Sequence, residues 1–160
     1  MKNYTEHELK LKAEAYCSAS EHCPSELRTK LKLWGADETT TENILSHLQK
    51  ERYLDDARFC RFFVRDKYRF NQWGRLKIIQ ALRMKQLPQE AISTGLEEID
   101  EREYADMLLH LLQQKAKTVK AATEYERNAK LMRFAAGRGF SADEIMKQLK
   151  RTGTDDETLF

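Results

Sequence analysis

Ile78-Ile79-Gln80-Ala81-Leu82-Arg83-Met84-Lys85-Gln86-Leu87-Pro88-Gln89-Glu90-Ala91-Ile92 reads as the end of one helix, a short turn and the start of another. Ile78, Ile79 and Leu82 keep the three-to-four spacing of one helical face. Pro88 stands where a helix accepts proline, at its first turn. The set Ile78, Leu82, Leu87, followed by Ile92 and Leu96, occurs twice more. Leu27, Leu31 and Ala36 precede Ile44 and Leu48, while Leu131, Ala135 and Phe140 precede Ile145 and Leu149. The first copy keeps register with about three extra residues around Asp37 to Thr41. A unit of three helices and about 50 residues is marginal alone and gains by stacking on its neighbours.

Working outward, capping-box spacing marks further helix starts at Thr5/Glu8, Thr39/Glu42, Asp100/Glu103 and Ser141/Glu144. The periodicity predicts helices over 5–20, 25–34, 40–51, 55–70, 75–86, 88–97, 101–118, 124–137 and 141–150. The fold expected is all-α: three tandem three-helix repeats forming an elongated, curved array. The units are 1–51, 52–98 and 99–150, with 151–160 as a disordered tail. Two prolines and six glycines in 160 residues are too few for a many-stranded β protein.

The net charge of +2 conceals an uneven distribution. Residues 52–85 hold 10 Lys/Arg against 3 Asp/Glu, or +7, while 1–51 carry −2 and 86–160 carry −3. A local excess of this kind points to an acidic partner, phosphate or protein. On a helical wheel Tyr53, Ala57, Cys60, Val64 and Tyr68 share the core face, with Phe59, Phe63 and Phe70 on its flank. Arg58, Arg61, Arg65 and Arg69 form a stripe on the other side, with Phe62 at its edge. No matching acidic stripe is visible within the same segment. Guanidinium forks pair bidentately with phosphates and carboxylates, so the stripe reads as a binding surface. Lys67, Arg75, Lys77, Arg83 and Lys85 extend it. Trp73 reads as packing, Gly74 as a turn residue, Asp55 as a helix N-cap and Asp56 as a partner of the helix's positive end.

Enzyme chemistry finds little support. No phosphate-binding or dinucleotide-binding glycine loop occurs, and His7, His22, His47 and His110 are scattered. Cys17, His22 and Cys23 lack an evident fourth metal ligand. No catalytic residue, metal or cofactor is therefore expected. Three cysteines without paired spacing fit a reducing, cytoplasmic setting, and no apolar run approaches membrane-spanning length.

The run Tyr53-Leu54-Asp55-Asp56-Ala57-Arg58-Phe59-Cys60, with Val64-Arg65, Trp73-Gly74-Arg75-Leu76-Lys77-Ile78 and Leu82-Arg83-Met84-Lys85, resembles the RecX family of recombination regulators. The resemblance is specific over about residues 50–90. Gln86 departs from it where the family usually has a helix-ending glycine, and Cys60 where alanine is usual. It implies a regulator that binds the RecA filament on DNA and inhibits its recombinase and coprotease activities, thereby regulating DNA repair and the SOS response, while the stacked repeats are expected to form a monomer. Direct contact with single- or double-stranded DNA by a non-sequence-specific helical module, or a helical adaptor role, stands as the alternative.

Overall fold

The computed structural model describes the backbone of residues 3–158 and the side chains of 3–152. Within these, the chain is all-helical: α1 (Glu6–Ala19), α2 (Pro24–Leu33), α3 (Glu38–Lys50), α4 (Asp56–Arg69), α5 (Arg75–Met84), α6 (Gln89–Leu96), α7 (Glu101–Ala116), α8 (Glu124–Gly137) and α9 (Ala142–Thr158). Helix α9 runs past Lys150, where the sequence pattern ends it. Of the expected tail 151–160, only Arg151 and Thr152 have described side chains, and Leu159 and Phe160 lie outside the described residues.

The three matched sets occupy equivalent places. The apolar pairs Leu27/Leu31, Ile78/Leu82 and Leu131/Ala135 are all essentially solvent-free. The helices that carry them end alike. The amides of Ala36, Leu87 and Phe140 donate to the carbonyls of Leu31, Leu82 and Ala135 at 2.9, 3.2 and 3.2 Å. This is the six-to-one bond of a Schellman cap, which needs a left-handed residue just before it. That residue is Gly35 (φ 92°), Gln86 (φ 64°) and Gly139 (φ 100°) in turn. The repeat is therefore one of backbone conformation as well as hydrophobic pattern.

The caps differ in part from the sequence reading. Thr5/Glu8 and Ser141/Glu144 are reciprocal boxes, and the Asp100 carboxylate accepts from the Glu103 amide at 2.9 Å. Helix α3 begins at Asp37, which accepts from the Thr40 amide at 2.7 Å, instead of at Thr39. Asp37 wins because a carboxylate is the stronger acceptor for amides at a helix's positive end.

Contacts divide the chain into two units. The first comprises the chain up to Phe63 together with Leu82–Gly95. Its core joins Leu9, Ala13 and Cys17 to Leu27, Leu31, Ile44 and Leu48, with Tyr16 and Trp34 packed against it. Gly95 lies against Cys60 so closely that a Cβ on it would fall 2.7 Å from the cysteine Cβ. The second unit comprises Val64–Ala81 and the chain from Leu96 onward. Here Val64, Tyr68, Ile78, Leu108, Leu112 and Phe140 are buried. Two backbone amides at the start of α5 are satisfied by α8: Gly74 donates to the Arg138 carbonyl at 2.7 Å and Leu76 to the Gly139 carbonyl at 2.9 Å. Gly74 is thus needed for close backbone approach, not for a turn. The left-handed residue before α5 is Gln72, at φ 58°.

Candidate partner-binding surface

Helix α4 forms because Asp55 caps it, accepting from the Arg58 amide at 2.9 Å, and because its apolar side chains share a face. Phe59, Cys60, Phe63, Val64 and Tyr68 are buried as that pattern requires. Phe70 is not on the core flank: it follows the last helical residue and is 80% exposed. Asp56 is half-buried at the first helical position. Burial and the neighbouring Asp55 push its carboxyl above the usual carboxylate range, and its Oδ1 has no hydrogen-bond partner.

Within the first unit, Arg58 is committed to the fold. Its Nε donates to Glu21 Oε1 at 2.8 Å, and its two terminal nitrogens donate to the Arg52 and Tyr53 carbonyls at 3.0 and 3.2 Å. Arg61 is exposed and has no hydrogen bond or ion pair among the described residues. Phe62 beside it is 49% exposed. Arg83 donates to Gln89 Oε1 at 3.3 Å, and Lys85 pairs with Glu26 at 3.1 Å. Burial pushes the Glu26 carboxyl up, but the Cys23 amide and Lys85 outweigh it and hold the group below its usual range.

Within the second unit, Arg65 lies 3.9 Å from Glu98 and Arg69 lies 3.0 Å from Glu103. Lys67 lies 3.8 Å from Asp66. Arg75 bridges Glu101 and Glu144 and lies 4.2 Å above the Tyr104 ring. Lys77 and Lys67 sit over the Trp73 ring at 4.6 and 5.1 Å.

The segment itself holds no matching acidic stripe, yet most of its cations do meet carboxylates. Glu21, Glu26, Glu98, Glu101, Glu103 and Glu144 face these cations, and all of them come from outside residues 52–85. Besides Phe70, the structure shows exposed apolar side chains that the sequence reading passed over, at Leu76 and Met84. Leu76 and Met84 each stand between two basic residues in sequence, which is the signal that could have marked them.

The cysteine–histidine cluster is otherwise engaged. The His22 ring stacks on Tyr16 at 3.8 Å, with its nitrogens 3.0 Å from Ser20 Oγ and 3.3 Å from Glu26. Burial, with the nearby Glu21 charge, pushes the Cys17 thiol up to about 11. Among the described residues no three His, Cys, Asp or Glu side chains converge as a metal site, and no helix is long and apolar enough to cross a membrane.

Helix triplets with one shared C-cap and a basic central segment define a tandem three-helix repeat protein. Residues 55–96 match the family model described as RecX, second three-helix domain, and residues 101–149 match RecX, third three-helix domain. The chain is 32% identical over 138 residues to the regulatory protein RecX of Prosthecochloris aestuarii, covering 86% of this chain and 89% of that one. It is 33% identical over 143 residues to the regulatory protein RecX of Acinetobacter baylyi, covering 87% and 84%. The chain belongs to the RecX family. The crystal structure of RecX from Lactobacillus salivarius shares the fold, with a TM-score of 0.83 at 17% identity over 91% of this chain and 95% of that one. A second crystal structure of regulatory protein RecX gives 0.80 at 22% identity, over 90% and 74%.

Proposed function

We propose that this RecX-family regulator binds the RecA filament on DNA in the cytoplasm and inhibits RecA's recombinase and coprotease activities, with no catalysis or cofactor of its own. The observation that carries the reading is the pair Arg61 and Phe62 on α4. A guanidinium with no partner among the described residues, beside a half-exposed ring, is a common form of interface anchor. Arg58 is assigned to the fold, because its hydrogen bonds tie α4 to the preceding turn. Arg65 and Arg69 keep about half their side-chain surface open to solvent, at 48% and 44%, and can exchange one carboxylate for another at little cost. The test is ATP hydrolysis by RecA on single-stranded DNA during titration with the chain. Inhibition by the wild type that Arg61→Glu abolishes supports the reading, and equal inhibition by both sinks it.

Direct DNA contact is the second reading, favoured by the two lysines over Trp73 beside exposed Phe70. Phosphate binding weakens steeply with salt, with a slope that tracks the number of contacts. Retention on DNA-cellulose at two salt concentrations distinguishes it from a protein-only contact.

A further inference from the structure

The repeats share a docking rule that is visible inside each unit. Counting from Leu27, Ile78 and Leu131, the first turn of each repeat's second helix aligns Glu26, Lys77 and Lys130. At the other end of that helix, Trp34, Lys85 and Arg138 align, followed by Gly35, Gln86 and Gly139. In the first unit the start of α2 receives the end of α5, where Lys85 meets Glu26 at 3.1 Å. In the second unit the start of α5 receives the end of α8 through the Gly74–Arg138 and Leu76–Gly139 bonds. Each repeat's second helix is thus met at its start by the end of the next one.

Two ends have no such neighbour among the described residues. At the end of α2, a Cβ built on Gly35 meets nothing within 4 Å, whereas at Gly139 it would fall 2.4 Å from the Lys77 Cβ. Leu33 is 75% exposed there. At the start of α8, an open groove of about 530 Å³ runs past Tyr125, Asn128, Ala129 and Met132 to Met146 and Leu149 on α9. Tyr125 and Met146 are 86% and 50% exposed. Tyr125 and Ala129 are the counterparts of Gln72 and Leu76, which flank the contact with α8. Methionine-lined grooves adapt to apolar side chains of many shapes.

We propose that copies of this chain associate head to tail, the α2 end of one copy (Leu33 and Gly35) seating on the α8–α9 groove of the next. The charges match. Helix α2 ends in Lys30 and Lys32, and α8 begins with Glu124 and Glu126. The helix dipoles also meet end to start, as they do where α8 joins α5. The two surfaces differ, so the contact does not close on itself and chains of copies form. The contact is small, so association is weak and concentration-dependent, and the dilute species is a monomer.

Sedimentation equilibrium of the full chain over a rising concentration range tests this, with Leu33→Glu and Met146→Glu as variants at exposed positions. The wild type's average mass should climb past twice the one-chain mass. Each variant alone should stay at one chain. An equimolar mixture should reach two chains and stop, because one intact end of each kind remains. A wild type fixed at one chain overturns the proposal. So does a wild type that stops at two, a variant that still assembles like wild type, or a mixture that stays at one chain while wild type assembles.

Discussion

Gly74 and Gly139 meet backbone to backbone, so that a Cβ on Gly74 would fall 2.3 Å from the Gly139 carbonyl carbon. Backbone lies on both sides and neither can rotate away. Gly74→Ala should therefore cost at least the about 1–3 kcal/mol of an overpacked core. A urea unfolding midpoint within error of wild type would show that the helix ends separate easily.

Gln86 holds the left-handed position that Gly35 and Gly139 fill in the other repeats, at φ 64°. The strain on a side chain there is about 1–2 kcal/mol. Glycine removes it and costs about 0.5–1 kcal/mol of added unfolded-state freedom. Gln86→Gly should thus raise stability by about 0.5–1 kcal/mol, and Gly35→Ala, with open space around it, should lower it by about 1 kcal/mol. Thermal melts of the two variants should move in opposite directions.

Arg58 and its neighbours on α4 should separate stability from activity. Arg58→Ala strips Glu21 and two carbonyls of their donor and should cost about 1–3 kcal/mol. Arg65→Glu with Arg69→Glu breaks only solvent-screened surface pairs, so the fold should survive while inhibition of RecA is lost. Full inhibition by that double variant, at wild-type melting temperature, would assign binding to another surface. Lys50→Glu on α3 is the control.

Glu26 gives a pH dependence of defined sign. Its carboxyl is depressed in the folded state by the Cys23 amide and Lys85, despite burial that acts the other way. Its stabilisation is therefore complete above the unfolded value of about 4.3 and fades as pH falls through the folded value. The stability gap between wild type and Glu26→Gln should be widest at neutral pH and close in acid. A gap that stays constant down to pH 3 would mean the carboxylate's charge contributes nothing.

The helices and their buried faces were legible because periodicity is local: Leu27/Leu31, Ile78/Leu82 and Leu131/Ala135 lie on the core side as their spacing requires. The electrostatics of α4 were not. Glu21 and Glu103 reach Arg58 and Arg69 from 37 and 34 residues away, beyond any sequence window. Gly74 shows the same limit. In sequence it reads as a turn residue, and its reason is a backbone that arrives from Gly139. Phe70 failed for a local cause, since a helical wheel has no meaning one residue past the helix.

Helix α5 is preceded by Gly74, which has no side chain with which to cap it. Its amides at Gly74 and Leu76 are met by carbonyls of Arg138 and Gly139. On a ribosome, where the chain emerges from its N-terminus, the middle of α5 can wind as soon as Ile78 and Leu82 have company. Its first turn gains these two acceptors only once the chain that follows α8 packs against it. The third repeat therefore completes the segment that carries the family's signature, and a chain cut short before α8 would leave the Gly74 and Leu76 amides without these acceptors.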